Sequence, residues 1–189
     1  MTRRVGEQRA RLDVGEWYLD DAELQRLRRD CWRRLDLYNA AGADDDEVRH
    51  QVLCDLLGEV GAGVEVVPRF QCSYGFNISL GDRTFVNANA FFMDDAPIRV
   101  GADVRIGPGA QLVTALHPVD DPDLRREGWE RALPIEIGSN VWLGTSVTVG
   151  AGVRIGADSV IGAGSVVLSD VPDRVVAAGT PARVIREVG

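Results

Sequence analysis

Lysine is absent from this chain, and every one of its 21 basic residues is arginine. That excludes Schiff-base chemistry and any catalytic lysine. Histidine is nearly absent, with only His50 and His117. Cysteine is sparse: Cys31, Cys54 and Cys72 stand singly, which speaks against a disulfide framework or a zinc site and for a reducing, cytoplasmic setting. No hydrophobic run approaches the roughly 18 residues needed to span a bilayer, and the first residues lack the apolar stretch of a signal peptide. Positive charge is also short. A formal net charge of −8 repels phosphate backbones and argues against a nucleic-acid partner. What remains, 45% hydrophobic and 26% charged residues over 189 positions, reads as a soluble globular protein with one sizeable core.

The chain divides near residue 60. Residues 1–60 read as a helical segment. Leu24, Leu27, Cys31, Leu35 and Tyr38 recur at spacings of three and four, one apolar stripe on an amphipathic helix. Asp20 and Glu23 have capping-box spacing, and the turn at Asn39–Gly42 ends the helix. A second helix begins near Asp44, with Val48, Val52, Leu53, Leu56 and Leu57 as its buried face.

Across residues 61–189 the period becomes six. Ile137, Leu143, Val149, Ile155, Ile161 and Val167 are spaced by six, and the first five are each followed by glycine. The same period holds at Val100, Ile106 and Leu112. Leu80, Val86 and Phe92 run ahead of it in a phase displaced by two residues. Six matches neither a helix nor an alternating strand. It matches short strands joined by tight corners, one aliphatic per strand turned inward, with glycine where backbones crowd: a parallel β-helix solenoid. The repeat breaks after Leu112, and an aperiodic loop at about 117–133 follows. A loop that long inside a solenoid is usually functional. It opens with His117, and on sequence alone a catalytic base and a surface histidine are equally open.

Beyond the repeat, Cys72-Ser-Tyr-Gly-Phe-Asn-Ile, Met93-Asp-Asp-Ala-Pro-Ile-Arg-Val-Gly, Thr114-Ala-Leu-His-Pro-Val, Pro134-Ile-Glu-Ile-Gly-Ser-Asn-Val-Trp-Leu-Gly and Val176-Ala-Ala-Gly-Thr-Pro-Ala-Arg-Val-Ile-Arg are recognisable together. With the helical N-terminus, they resemble the maltose/galactoside O-acetyltransferase family of hexapeptide acyltransferases. The resemblance implies a left-handed β-helix, a homotrimer with sites between subunits, acetyl-CoA as co-substrate and no required metal. It implies direct acetyl transfer to a sugar hydroxyl, with His117 as general base and the Thr145 N–H on the oxyanion. Asp20, Ser73, Asn87 and Asp95 fall at acceptor-binding positions. Trp142, Gly144, Thr145, Ala163, Arg183 and Arg186 fall at cofactor-binding ones. Asp20 could instead cap its helix, Asp94 and Asp95 could be solvated loop acids, and Trp142 could wedge a coil corner. Two departures stand out. Phe85 replaces a tyrosine common in galactoside enzymes, and Ser169 stands where a lysine is frequent, which leaves the CoA phosphates to arginine.

Three other functions compete with this one. A solenoid carbonic anhydrase fails for want of histidines. A non-catalytic trimeric scaffold sits poorly with an intact His117 loop. Acyl transfer to another acceptor, such as a galactoside, a lipo-chitooligosaccharide or an antibiotic, stays open. A covalent acetyl-cysteine on Cys72 has no nearby group to lower its pKa.

Overall fold

In the computed structural model, which describes residues 6–189, three faces of short parallel strands wind into a β-helix behind an N-terminal helical segment. The first face stacks Glu59–Val60, Ile78–Leu80, Ile98–Val100, Ile135–Ile137 and Arg154–Ile155. The second stacks Glu65–Val66, Phe85–Val86, Arg105–Ile106, Trp142–Leu143, Val160–Ile161 and Val175–Gly179, closed by the antiparallel strand Ala182–Glu187. The third stacks Phe70–Cys72, Ala90–Met93, Gln111–Val113, Thr148–Val149 and Val166–Val167. Each coil visits the faces in that order, so three edges run along the solenoid.

The six-residue phase is the core. Val86, Leu112, Leu143, Val149, Ile155, Ile161 and Val167 are fully buried. Each such side chain contributes about 1.5–3 kcal/mol by leaving water. Glycine follows because the next coil's backbone lies against it. A Cβ on Gly138 would stand 2.5 Å from the Ala157 nitrogen.

The shift of phase has a location. The third–first edge takes five residues, Met93–Pro97, between inward Phe92 and Ile98, but only three, Gly150–Gly152, between Val149 and Val153. In the intervening coil the same edge carries the long insertion. That insertion is more ordered than its lack of period implied. Ala115–Leu116 and Arg131–Ala132 pair as an antiparallel hairpin, and a short helix, Pro122–Arg126, lies within it, capped by Asp121.

The N-terminal segment holds three helices. α1 (Glu7–Asp13) has no counterpart in the sequence reading. α2 (Ala22–Ala40) buries Leu24, Cys31, Leu35 and Tyr38, with Leu27 partly covered, as its stripe predicts. Its cap is Asp21, not Asp20: the Asp21 carboxylate accepts from the Glu23 and Leu24 amides at 2.9 and 3.0 Å. Glu23 accepts from the Gly6 amide at 2.9 Å, so no capping box with Asp20 forms. α3 (Asp46–Leu56) buries Leu53 and Leu56, while Val48 is 52% exposed and no part of its buried face. α2 and α3 cover the open end of the first coil. There the Tyr38 hydroxyl donates to the Val66 carbonyl, and Asn39 exchanges hydrogen bonds with Phe70.

Candidate active site

Two groups of the expected residues form, on two different edges. The first lies on the third–first edge, where the extra residues and the hairpin are. A cavity of about 260 Å³ there is lined by Ser73, Asp95, His117, Glu130 and Arg28, with Trp32, Cys72, Phe91 and Met93 around it. His117 leaves the hairpin strand Ala115–Leu116 and places Nδ1 3.2 Å from the Trp129 carbonyl. A carbonyl only accepts, so Nδ1 carries the hydrogen, and in the neutral ring Nε2 is the nitrogen with the free lone pair.

Asp94 and Asp95 are both buried, not solvated. Asp94 shapes the corner, accepting from the Ser73 and Tyr74 amides at 2.9 and 2.8 Å. Burial, with Asp95 beside it, pushes its carboxyl up to about 7 against the pull of those amides. Asp95 faces the cavity. Ser73 Oγ donates to its Oδ2 at 3.2 Å, and the Tyr18 hydroxyl lies 3.0 Å from its Oδ1. Burial raises its carboxyl too, while those hydrogen bonds and Arg28 pull it down. Asp20 reaches this group through Arg28, whose guanidinium forks onto both Asp20 oxygens at 3.1 and 3.0 Å and also meets the Tyr74 hydroxyl at 2.9 Å. Cys72 is a buried thiol whose pKa is raised well above normal, first by its hydrogen bond with Cys31 and then by burial, the opposite of an activated nucleophile.

The second group lies on the second–third edge. Leu143 is in register with Ile106 and Ile161, which aligns Thr145 with Pro108 on one side and Ala163 on the other. The Thr145 and Ala163 N–H groups have no hydrogen-bond partner among the described residues, and Pro108 has no N–H. Gly144 keeps the row open: a Cβ there would lie 2.6 Å from the Ala163 nitrogen. Asn87 belongs to this edge, its amide donating to the Ile106 carbonyl at 2.9 Å and its Oδ1 accepting from Ala88. It does not join Ser73, Asp95 and His117 within one chain.

Trp142 is 57% exposed on the outer surface of the second face rather than wedged at a corner. It shares one outward row with Phe85, Arg105, Val160, Val176 and Arg186. Arg183, opposite Ala178, and Arg186, opposite Val176, make no ion pair among the described residues. Each bonds only a neighbouring carbonyl, of Ala182 and of Glu187. Free N–H groups, an exposed indole and two unpaired guanidinium groups near one edge suit a long anionic thioester such as acetyl-CoA. Among the described residues no three His, Cys, Asp or Glu side chains gather as a metal site, and no helix is long and apolar enough to cross a membrane.

Sequence reading missed Arg28, Tyr18, Glu130 and the Trp129 carbonyl. Arg28 lies in α2, eight residues beyond Asp20, and carried no signal beyond its charge. Tyr18 and Glu130 meet only in the fold, through an isolated bridge.

Two family models match, the maltose acetyltransferase hexapeptide capping motif over residues 14–61 and the bacterial transferase hexapeptide over residues 134–169. Nodulation protein L of Rhizobium meliloti is 42% identical over 180 residues, covering 94% of this chain and 97% of that protein. The crystal structure of a maltose O-acetyltransferase from Clostridium difficile 630 superposes with a TM-score of 0.95 at 37% identity, over 98% of this chain and 100% of that one. A galactoside acetyltransferase in complex with coenzyme A gives 0.93 at 36% identity, over 98% and 92%. With repeat and cap matched and the fold shared over nearly its whole length, the chain belongs to the hexapeptide-repeat acetyltransferases of the maltose and galactoside O-acetyltransferase family, and its acyl donor is acetyl-CoA.

Proposed function

We propose that this protein transfers the acetyl group of acetyl-CoA directly to a hydroxyl of a sugar, a glucose- or maltose-type acceptor, with His117 as general base. The observation that carries the reading is the Nδ1 contact of His117 with the Trp129 carbonyl, which leaves Nε2 as the basic nitrogen at a cavity shared with Ser73 and Asp95. An alcohol is too weak an acid to attack a thioester unaided, and imidazole is a suitable base at neutral pH. Asp95, Ser73 and the Asp20–Arg28 pair line up acceptors and donors for a polyol. As oxygen attacks, charge develops on the thioester carbonyl oxygen, and the unpaired Thr145 N–H is the donor we assign to it.

His117 and Thr145 occupy different edges of one chain. The reading therefore requires the second–third edge of one subunit to approach the third–first edge of another, and a trimer closes such a head-to-tail contact into a ring. Asn87 then completes the acceptor pocket from across the interface. Phe85, which has no hydroxyl, favours glucose-type acceptors over galactosides.

The test is free-thiol release from acetyl-CoA with glucose or maltose as acceptor. Wild type turns over, and His117→Ala lowers kcat by roughly 10²–10⁴-fold with the KM for acetyl-CoA nearly unchanged, the usual worth of a general base. Turnover within about threefold of wild type would remove His117 from the mechanism.

A further inference from the structure

Tyr18 is fully buried, its ring packed with Leu12, Leu24 and Tyr74. Its hydroxyl meets two carboxylates at once, Asp95 Oδ1 at 3.0 Å and Glu130 Oε2 at 3.0 Å. A phenol has one hydrogen to give. With both carboxylates ionised, one contact would set a hydroxyl lone pair against a negative oxygen, an unfavourable arrangement. Both contacts are satisfied when one carboxyl is protonated and donates to the Tyr18 oxygen, while the phenol donates to the other. Arg28, the guanidinium at this cavity, is already engaged by Asp20 and the Tyr74 hydroxyl, so it offsets the charge of Asp95 only in part.

The backbone ties the same residues. Tyr18 and Glu130 exchange N–H···O bonds of 2.8 and 2.9 Å, an isolated bridge between the N-terminal segment and the hairpin. The residue next to Glu130 is Trp129, whose carbonyl orients His117. One tyrosine thus reaches the acceptor carboxylate through its hydroxyl and the imidazole through its backbone.

We propose that the Asp95 and Glu130 carboxyls hold one proton between them across the Tyr18 hydroxyl, and that Tyr18 is a positioning residue that sets Asp95 and the His117 hairpin relative to each other. Asp95 is the ionised end, because it also receives the Ser73 hydroxyl and faces Arg28. Glu130 is the protonated end. The groups that face this chain are Asp20, Arg28, Tyr74 and Asp94 beside Asp95, and His117 and Asp20 beside Glu130. Burial lifts the Asp95 and Glu130 carboxyls and holds the Tyr18 phenol far above its usual range, in keeping with a proton retained between them.

The inference rests on the reading of Asp95 as an acceptor-binding group. It is tested by pH profiles of kcat/KM for the acceptor, from about pH 6 to pH 10, in wild type, Glu130→Gln and Tyr18→Phe. Wild type loses kcat/KM on the alkaline side as the shared proton dissociates. In Glu130→Gln the amide NH₂ donates to Tyr18 permanently, so the alkaline fall disappears. Tyr18→Phe keeps the ring and raises the acceptor KM about tenfold, leaving the acetyl-CoA KM within about twofold. A flat wild-type profile, an unchanged alkaline limb in Glu130→Gln, or an unaltered acceptor KM in Tyr18→Phe overturns it. Should Tyr18→Phe unfold, the Glu130→Gln profile still decides. Failure of the His117 assignment is separate, because it is read on turnover of His117→Ala.

Discussion

Arginine does here what lysine shares in other proteins, and Arg183 and Arg186 are where this matters most. Their guanidinium groups touch only backbone carbonyls of adjacent residues, so little of the fold depends on them. Each is open to charge-assisted hydrogen bonds with phosphate, typically about 1.5–3 kcal/mol. We expect Arg183→Ala and Arg186→Ala to raise the KM for acetyl-CoA about tenfold or more. The 3′-dephospho form should be nearly unaffected, and so should the melting temperature. Equal effects on both cofactors for both variants would sink the assignment to the 3′-phosphate. At this scale the sequence was uneven. His117 stood out because histidine is rare and the repeat broke beside it. Arg28 did not, because a guanidinium in an arginine-rich helix is indistinguishable from its solvated neighbours until the Asp20 contact is seen.

The repeating element, a short strand with its corner, was the most legible part of the molecule. A period of six leaves no other regular structure, and the inward positions could be named one by one. Glycines within the repeat are not equivalent, however. At Gly138 an added methyl meets rigid backbone, the Ala157 nitrogen at 2.5 Å, whereas at Gly150 it meets the flexible end of Leu168 at 3.1 Å. Gly138→Ala should lower stability by about 1–3 kcal/mol, the usual cost of overpacking, and Gly150→Ala by much less. Urea unfolding of the two variants distinguishes them, and equal losses would contradict this account of the corner. The helical elements were read less well. Two adjacent aspartates offered a cap, and spacing pointed to Asp20, but Asp21 has the extended backbone that aims its carboxylate at the first turn. The hairpin inside the long insertion gave no signal because two-residue strands carry no period.

For the whole molecule, the two-edge arrangement makes a prediction that no single chain can satisfy. His117→Ala spoils one edge. Thr145→Pro removes one N–H from the other, and the substitution has a precedent in the same stack, since Pro108 already occupies the aligned corner. Each variant alone should be nearly inactive. Co-expressed and assembled at random, they should recover about a quarter of wild-type activity, the share of interfaces at which two intact edges meet. No recovery from properly mixed oligomers would place the whole site within one chain. The sequence placed these residues on a list; only the topology divided the list between edges, because strand order, not sequence distance, decides which corner a residue joins.

The uneven edge has a further consequence. Extra residues enter the solenoid only where the third face turns to the first: five in the early coils, a whole hairpin in the next and three in the coil after it. Inserted or deleted segments there leave the inward rows and the second–third edge in step, as a lathe keeps its spindle while the tool is changed. If the two edges divide the work as proposed, a lineage built on this plan is free to trade one hydroxyl-bearing substrate for another by editing a single seam, with its grip on the acyl carrier untouched.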